Sequence, residues 1–192
     1  MRRKMARIIL ATIILAGVMA LLLASCGGSL TINCLELSGE EAERYAIDGR
    51  EDIPAPSEHR YYSCETENPQ SYQFYFWRLE DGEWLRSEMG DGVMQEGENI
   101  LTVYMQGGQD GFGAGVDVTG NGGQNTHWDT GIEPMEVTYL EERATISASD
   151  RLVLAVGGEN ATDLTPEVLQ GNFDLDDLKE RGSGVYVLTV EF

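Results

Sequence analysis

Tyr72-Gln73-Phe74-Tyr75-Phe76-Trp77-Arg78-Leu79, then Glu80-Asp81-Gly82-Glu83, then Trp84-Leu85-Arg86, is the stretch that decides the fold class. Asp-Gly between two aromatic-rich runs is a strong short-range signal of a β-hairpin. In the first run Tyr72, Phe74, Phe76 and Arg78 fall on one face, and Gln73, Tyr75, Trp77 and Leu79 on the other. Both faces are aromatic, whereas an antiparallel strand usually buries one. Either the strand is covered on both sides, or Tyr75 and Trp77 lie open beside Trp84. An open row would suit the faces of sugar rings, so Tyr75, Trp77 and Trp84 are the expected ligand-binding residues.

Working outward, further runs rich in β-branched or aromatic residues cover residues 30–34, 100–105, 115–119, 135–140, 152–156 and 185–192. Each is short and bounded by Gly, Asn or Asp. Residues 38–58 are acidic and polar, broken by Asp48-Gly49, Pro54 and Pro56, and read as a long loop with one helical turn near Glu40 to Tyr45. Thr165-Pro166-Glu167 and the charge order over residues 174–181 predict short helices late in the chain. Many short strands with few helices favour an antiparallel β-sandwich or jelly roll, with one or two short helices near the C-terminus, over an α/β sheet.

At the other end, Arg2, Arg3, Lys4 and Arg7 precede an uncharged apolar run over residues 8–24, the layout of an export signal. The run closes in Leu23-Ala24-Ser25-Cys26, which resembles the lipobox of bacterial lipoproteins at all four positions. The resemblance implies that Cys26 receives a diacylglycerol, that residues 1–25 are removed, and that Cys26 becomes the N-terminus of a chain anchored on the outer side of the cell membrane. Residues 26–29 would then be a lipid-attached tether and residues 30–192 a single β-rich domain. The competing expectation is a helix that stays and spans the membrane, since the run approaches bilayer thickness.

Without residues 1–25 the chain keeps nine basic residues against 33 acidic ones, a net charge of −24. Such a charge repels phosphate backbones and anionic headgroups, which argues against nucleic acid as a partner. Of the three cysteines, Cys26 goes to lipid on the lipobox reading, and two thiols in an exported chain read as one disulfide, Cys34 to Cys64. That bridge would close the acidic loop and constrain the unfolded chain by about 3–4 kcal/mol.

Residues 107–131 hold nine glycines. Asp117-Val118-Thr119-Gly120-Asn121-Gly122 places oxygen side chains at alternate positions before a glycine, like the first half of a calcium loop, but Trp128 stands where the twelfth-position carboxylate belongs. A calcium site would therefore need Asp117, Thr119 and Asn121 plus an acid from elsewhere, such as Asp129. Asp129-Thr130-Gly131 matches the aspartic-protease tripeptide in a single copy, although that chemistry needs two aspartates. His59 and His127 are the only imidazoles, and no Gly-x-Ser-x-Gly or His-Glu-x-x-His accompanies them. No catalytic residue is singled out. The expected role is binding a glycan, a cell-wall component or another envelope protein; the alternatives are an envelope hydrolase using paired carboxylates and a structural or assembly subunit.

Overall fold

The computed structural model describes residues 29–47, 58–108, 111–119, 123–129, 136–147, 151–158 and 185–192. Asp81 and Gly82 both take positive φ, 50° and 76°, which is the type I′ geometry that Asp-Gly favours, and Glu80 faces Glu83 across the two-residue turn. The hairpin joins β3 (Gln70–Glu80) to β4 (Glu83–Met94). The remaining elements in chain order are β1 (Ser29–Leu35), α1 (Glu40–Tyr45), β2 (Arg60–Thr66), β5 (Gly97–Gly108), β6 (Gly111–Val118), β7 (Gly123–Asp129), β8 (Glu136–Tyr139), β9 (Ala144–Ser147), β10 (Arg151–Gly158) and β11 (Val185–Glu191).

These strands form two antiparallel sheets, ordered β7-β6-β5-β2-β1-β9 and β4-β3-β11-β10-β8. The fold is the expected β-sandwich, and the helical turn after residue 39 is α1. The short helices read from residues 165–181 lie outside the described residues.

Alternation builds the core. Ile32, Tyr62, Leu101, Val103 and Val116 point inward from the first sheet and meet Phe74, Phe76, Leu154, Leu188 and Val190 of the second, all essentially dry. Each such side chain contributes about 1.5–3 kcal/mol by leaving water. Two tyrosines also tie the sheets through polar bonds. The Tyr139 hydroxyl, on β8, accepts from the Met105 amide and donates to the Met105 carbonyl, both at 2.9 Å, two residues beyond Val103, where the pairing of β5 with β2 ends. The Tyr62 hydroxyl donates to the Leu140 carbonyl at 3.0 Å. A dry core accepts phenols only when their hydroxyls are paired in this way.

The crossing from β4 to β5 is held from inside. Buried Asn99 accepts from the Gln95 amide and donates to the carbonyls of Gln95 and Gly97, while the Thr66 hydroxyl donates to the Gln95 carbonyl at 2.6 Å. Gly97 sits at φ 100°, where a Cβ would be strained.

On the outer face of the first sheet, the Tyr104 ring lies over Gly115, and a Cβ at that glycine would run into the ring. Gly115→Ala is therefore expected to cost about 1–3 kcal/mol in urea unfolding. Most of that cost should vanish in a Tyr104→Ala background, because the two changes share one contact.

Candidate functional site

The outer face of the second sheet carries the aromatic row. The register sets Arg86 beside Trp77 and Val187, Glu88 beside Tyr75 and Thr189, and Asp91 beside Gln73 and Glu191, with Arg151 opposite Glu191. The Trp77 indole donates to Thr189 Oγ1 at 3.0 Å, and the Tyr75 hydroxyl donates to Gln73 Oε1 at 2.7 Å. The Arg86 guanidinium lies 4.5 Å from the Tyr75 ring centre and 5.6 Å from that of Trp77; Arg151 lies 4.6 Å from Trp77 and is bonded to Glu191 at 2.8 Å. Cation and ring attract through the ring quadrupole.

This arrangement corrects the idea of an open stacking platform. Tyr75 and Trp77 are each only 6% exposed, and Val153, Val156 and Val187 beside them are dry. With Leu79 and Val185 they form a second apolar core, so β3 is covered on both faces. Of the three expected rings only Trp84, packed at the rim of that core, stays half-buried. The sequence marks Arg86 only through the Trp84-x-Arg86-x-Glu88 alternation, and nothing around Arg151 sets it apart.

The expected disulfide is also corrected. Cys34 and Cys64 are both free thiols. In the β1–β2 register Cys34 faces Tyr62 and Cys64 faces Ile32, so the two cysteines are diagonal neighbours. A diagonal of roughly 7–8 Å exceeds the span a disulfide bridges. Burial pushes the Cys64 thiol up to about 12. Partial burial at the end of β1 also raises Cys34, against the pull of the nearby Arg60 cation, which is the wrong direction for a nucleophilic thiolate.

The calcium reading loses its geometry. Thr119 Oγ1 accepts from the Ile100 amide and donates to its carbonyl, so it closes the strand end. Asp117 pairs across with Gln124, and Asp129 stands five residues farther along β7, about 17 Å away. Asn121 lies outside the described residues. Among the described residues no cluster of three or more His, Cys, Asp or Glu could hold a metal. Thr130 and Gly131 of the protease-like tripeptide also lie outside them. His59 acts structurally, since its Nε2 accepts the Ile47 amide at 3.1 Å and its ring stacks on Tyr61, fixing the chain after α1 to the first sheet.

Strand directions separate the two ends of the sandwich. The connections 67–69 and 95–96, the end of β6 and the start of β7 lie at the end where β1 begins with Ser29. β1, β5, β7 and β10 end, and β2, β6, β8 and β11 begin, at the opposite end, where the 81–82 turn also lies. Half-buried Trp84 lies at that far end, and half-buried Tyr45 closes α1, which packs on the first sheet through Tyr61 and Thr102. No helix among the described residues is long and apolar enough to cross a membrane; residues 1–28 lie outside them.

Alkylation without reductant is expected to label Cys34 in the folded chain and Cys64 only after unfolding; a peptide joining the two would contradict the β1–β2 register. Asp117 supplies a second test. Burial holds its carboxyl above the ordinary value of 3.8, so the folded state keeps this proton to higher pH than the unfolded one. Stability from this group is therefore lost as pH rises through that window. Asp117→Asn should gain in urea midpoint over the parent chain on going from pH 3 to pH 7; a constant difference would remove the effect.

Comparison with protein-family models, with curated proteins and with solved structures brings no match.

Proposed function

We propose that the chain is an envelope lipoprotein whose sandwich holds a glycan or cell-wall component outside the cytoplasm, on the end turned away from the membrane. The observation that carries the reading is the distance between two features. β1 begins at Ser29, so Gly27 and Gly28 alone separate it from the lipobox cysteine, a reach of about 10 Å. A lipid on Cys26 would hold the Ser29 end against the bilayer and turn the far end, with Trp84 and Tyr45, outward. The ends of a rigid sandwich are where recognition is commonly built. The acidic surplus fits an electrically neutral ligand better than a polyanion.

The burial of Tyr75 and Trp77 shifts the recognition surface from the middle of the sheet to this end, where Trp84 and Tyr45 are only half-buried. The expected outcome has two parts. In the bacterial host a clickable fatty acid labels the parent chain and not Cys26→Ser. On an array of neutral oligosaccharides the detergent-solubilised chain gives hits that Trp84→Ala or Tyr45→Ala weakens at least about tenfold, while Asn68→Ala, on an exposed connection at the Ser29 end, leaves them unchanged. Label retained in Cys26→Ser overturns the anchor; hits indifferent to the ring substitutions, or none at all, overturn the binding end.

A further inference from the structure

We infer that β4 is a self-association edge, pairing antiparallel with the β4 of a second copy of this chain about a two-fold axis at Ser87. This inference rests on the sheet register and is independent of the ligand proposed above.

β4 is an edge strand of 12 residues with a ladder partner, β3, on one side. The two exposed large apolar side chains among the described residues, Leu85 at 44% and Val93 at 41%, are both on it. In a two-residue hairpin the residues flanking the turn hydrogen-bond each other, so Glu83, Leu85 and Ser87 direct their amides and carbonyls at β3. Arg86 and Glu88 direct theirs outward, where a further strand can take them.

The side chains then select the register. Arg86 is exposed, its guanidinium is held over Tyr75 and Trp77, and it has no ion pair among the described residues. Glu88 follows two positions later on the same face. With the axis at Ser87, Arg86 of each copy stands directly opposite Glu88 of the other, so two cross-strand charge pairs form, and the outward groups of Arg86 and Glu88 exchange backbone hydrogen bonds across the axis. On the other face Leu85 meets the second copy's Met89. An axis at Arg86 would set two arginines face to face, and one at Glu88 two carboxylates, so like charges exclude the neighbouring registers. The bulge at Met89, where Phe74 pairs with Gly90 and Tyr75 with Glu88, bends the strand and confines the flat ladder to the segment around Ser87. Such an interface is isologous and closes on itself, as a two-fold dimer must.

The test uses the full chain in detergent, in a Cys34→Ala background that removes the exposed native thiol. Ser87→Cys should give an oxidative cross-linked dimer, because the axis brings the two positions together as a non-hydrogen-bonded pair. Val93→Cys, which this register leaves beyond the ladder, should not. By sedimentation equilibrium, Arg86→Glu or Glu88→Arg alone should raise the dimer dissociation constant at least about tenfold, and the two together should restore it. A monomer at every concentration overturns the proposal. So does equal cross-linking at positions 87 and 93, or a dimer indifferent to the charge reversals. Circular dichroism of the doubly reversed chain, which keeps both exposed positions charged, separates lost association from lost folding.

Discussion

Burial of β3 on both faces is the constraint from which the rest of the sandwich follows. Successive side chains on a strand point to opposite sides, so Tyr72, Phe74 and Phe76 need one apolar layer, and Tyr75, Trp77 and Leu79 need another. The first layer is the other sheet. The second is built within the same sheet, from the valines of β10 and β11, and is roofed in part by arginines. Within its sheet β3 is also an interior strand, flanked by β4 and β11, so its edges are paired as well as its faces. Its indole and phenol groups stay inside because each polar atom is answered, Trp77 by Thr189 and Tyr75 by Gln73.

Joining the sheets demands more than apolar contact, since greasy layers can slide. Tyr139 and Tyr62 remove that freedom, because each carries a ring into the shared core and ends on a backbone group that no ladder satisfies. Burial pushes the Tyr139 phenol up to about 12, so it stays a neutral donor and acceptor at any ordinary pH. Asn99 plays the same part at the β4–β5 crossing, where its side chain replaces the bonds a tighter turn would have made within the backbone.

Several of these features are legible in the sequence. Asp81-Gly82 states its hairpin outright, and the apolar runs behind β5, β10 and β11 announce strands because their residues suit a pleated, buried surface. β7 escapes such a reading, since Gly123-Gln124-Asn125-Thr126 has the composition of a turn and is a strand only because β6 lies beside it. β9 is too short for a pattern to show. The disulfide failed for a similar reason: a count of thiols says nothing of register, and a two-residue offset separates Cys34 from Cys64. Nor could alternation in β3 distinguish an open aromatic face from a covered one, since the covering residues are far away in sequence; the Thr189 that bonds Trp77 is more than a hundred positions on.

Three of the arginines are placed by aromatic rings. In a chain with 33 acids, an arginine has carboxylates on every side. Yet Arg60 lies over Tyr139, Arg86 over Tyr75 and Trp77, and Arg151 over Trp77. A ring face next to solvent is where a guanidinium gains most, because it covers apolar surface with its stem and plane while its N–H edge remains free to bond. Arg60 and Arg151 give that edge to Glu58 and Glu191. Arg86, on the outermost strand of its sheet, has a stacked plane and an edge with no ion pair among the described residues. Self-repulsion among the acids would keep two such domains apart over most of their surface. Along β4 the sign alternates between Arg86 and Glu88, so a two-fold arrangement there turns repulsion into attraction with no change in composition.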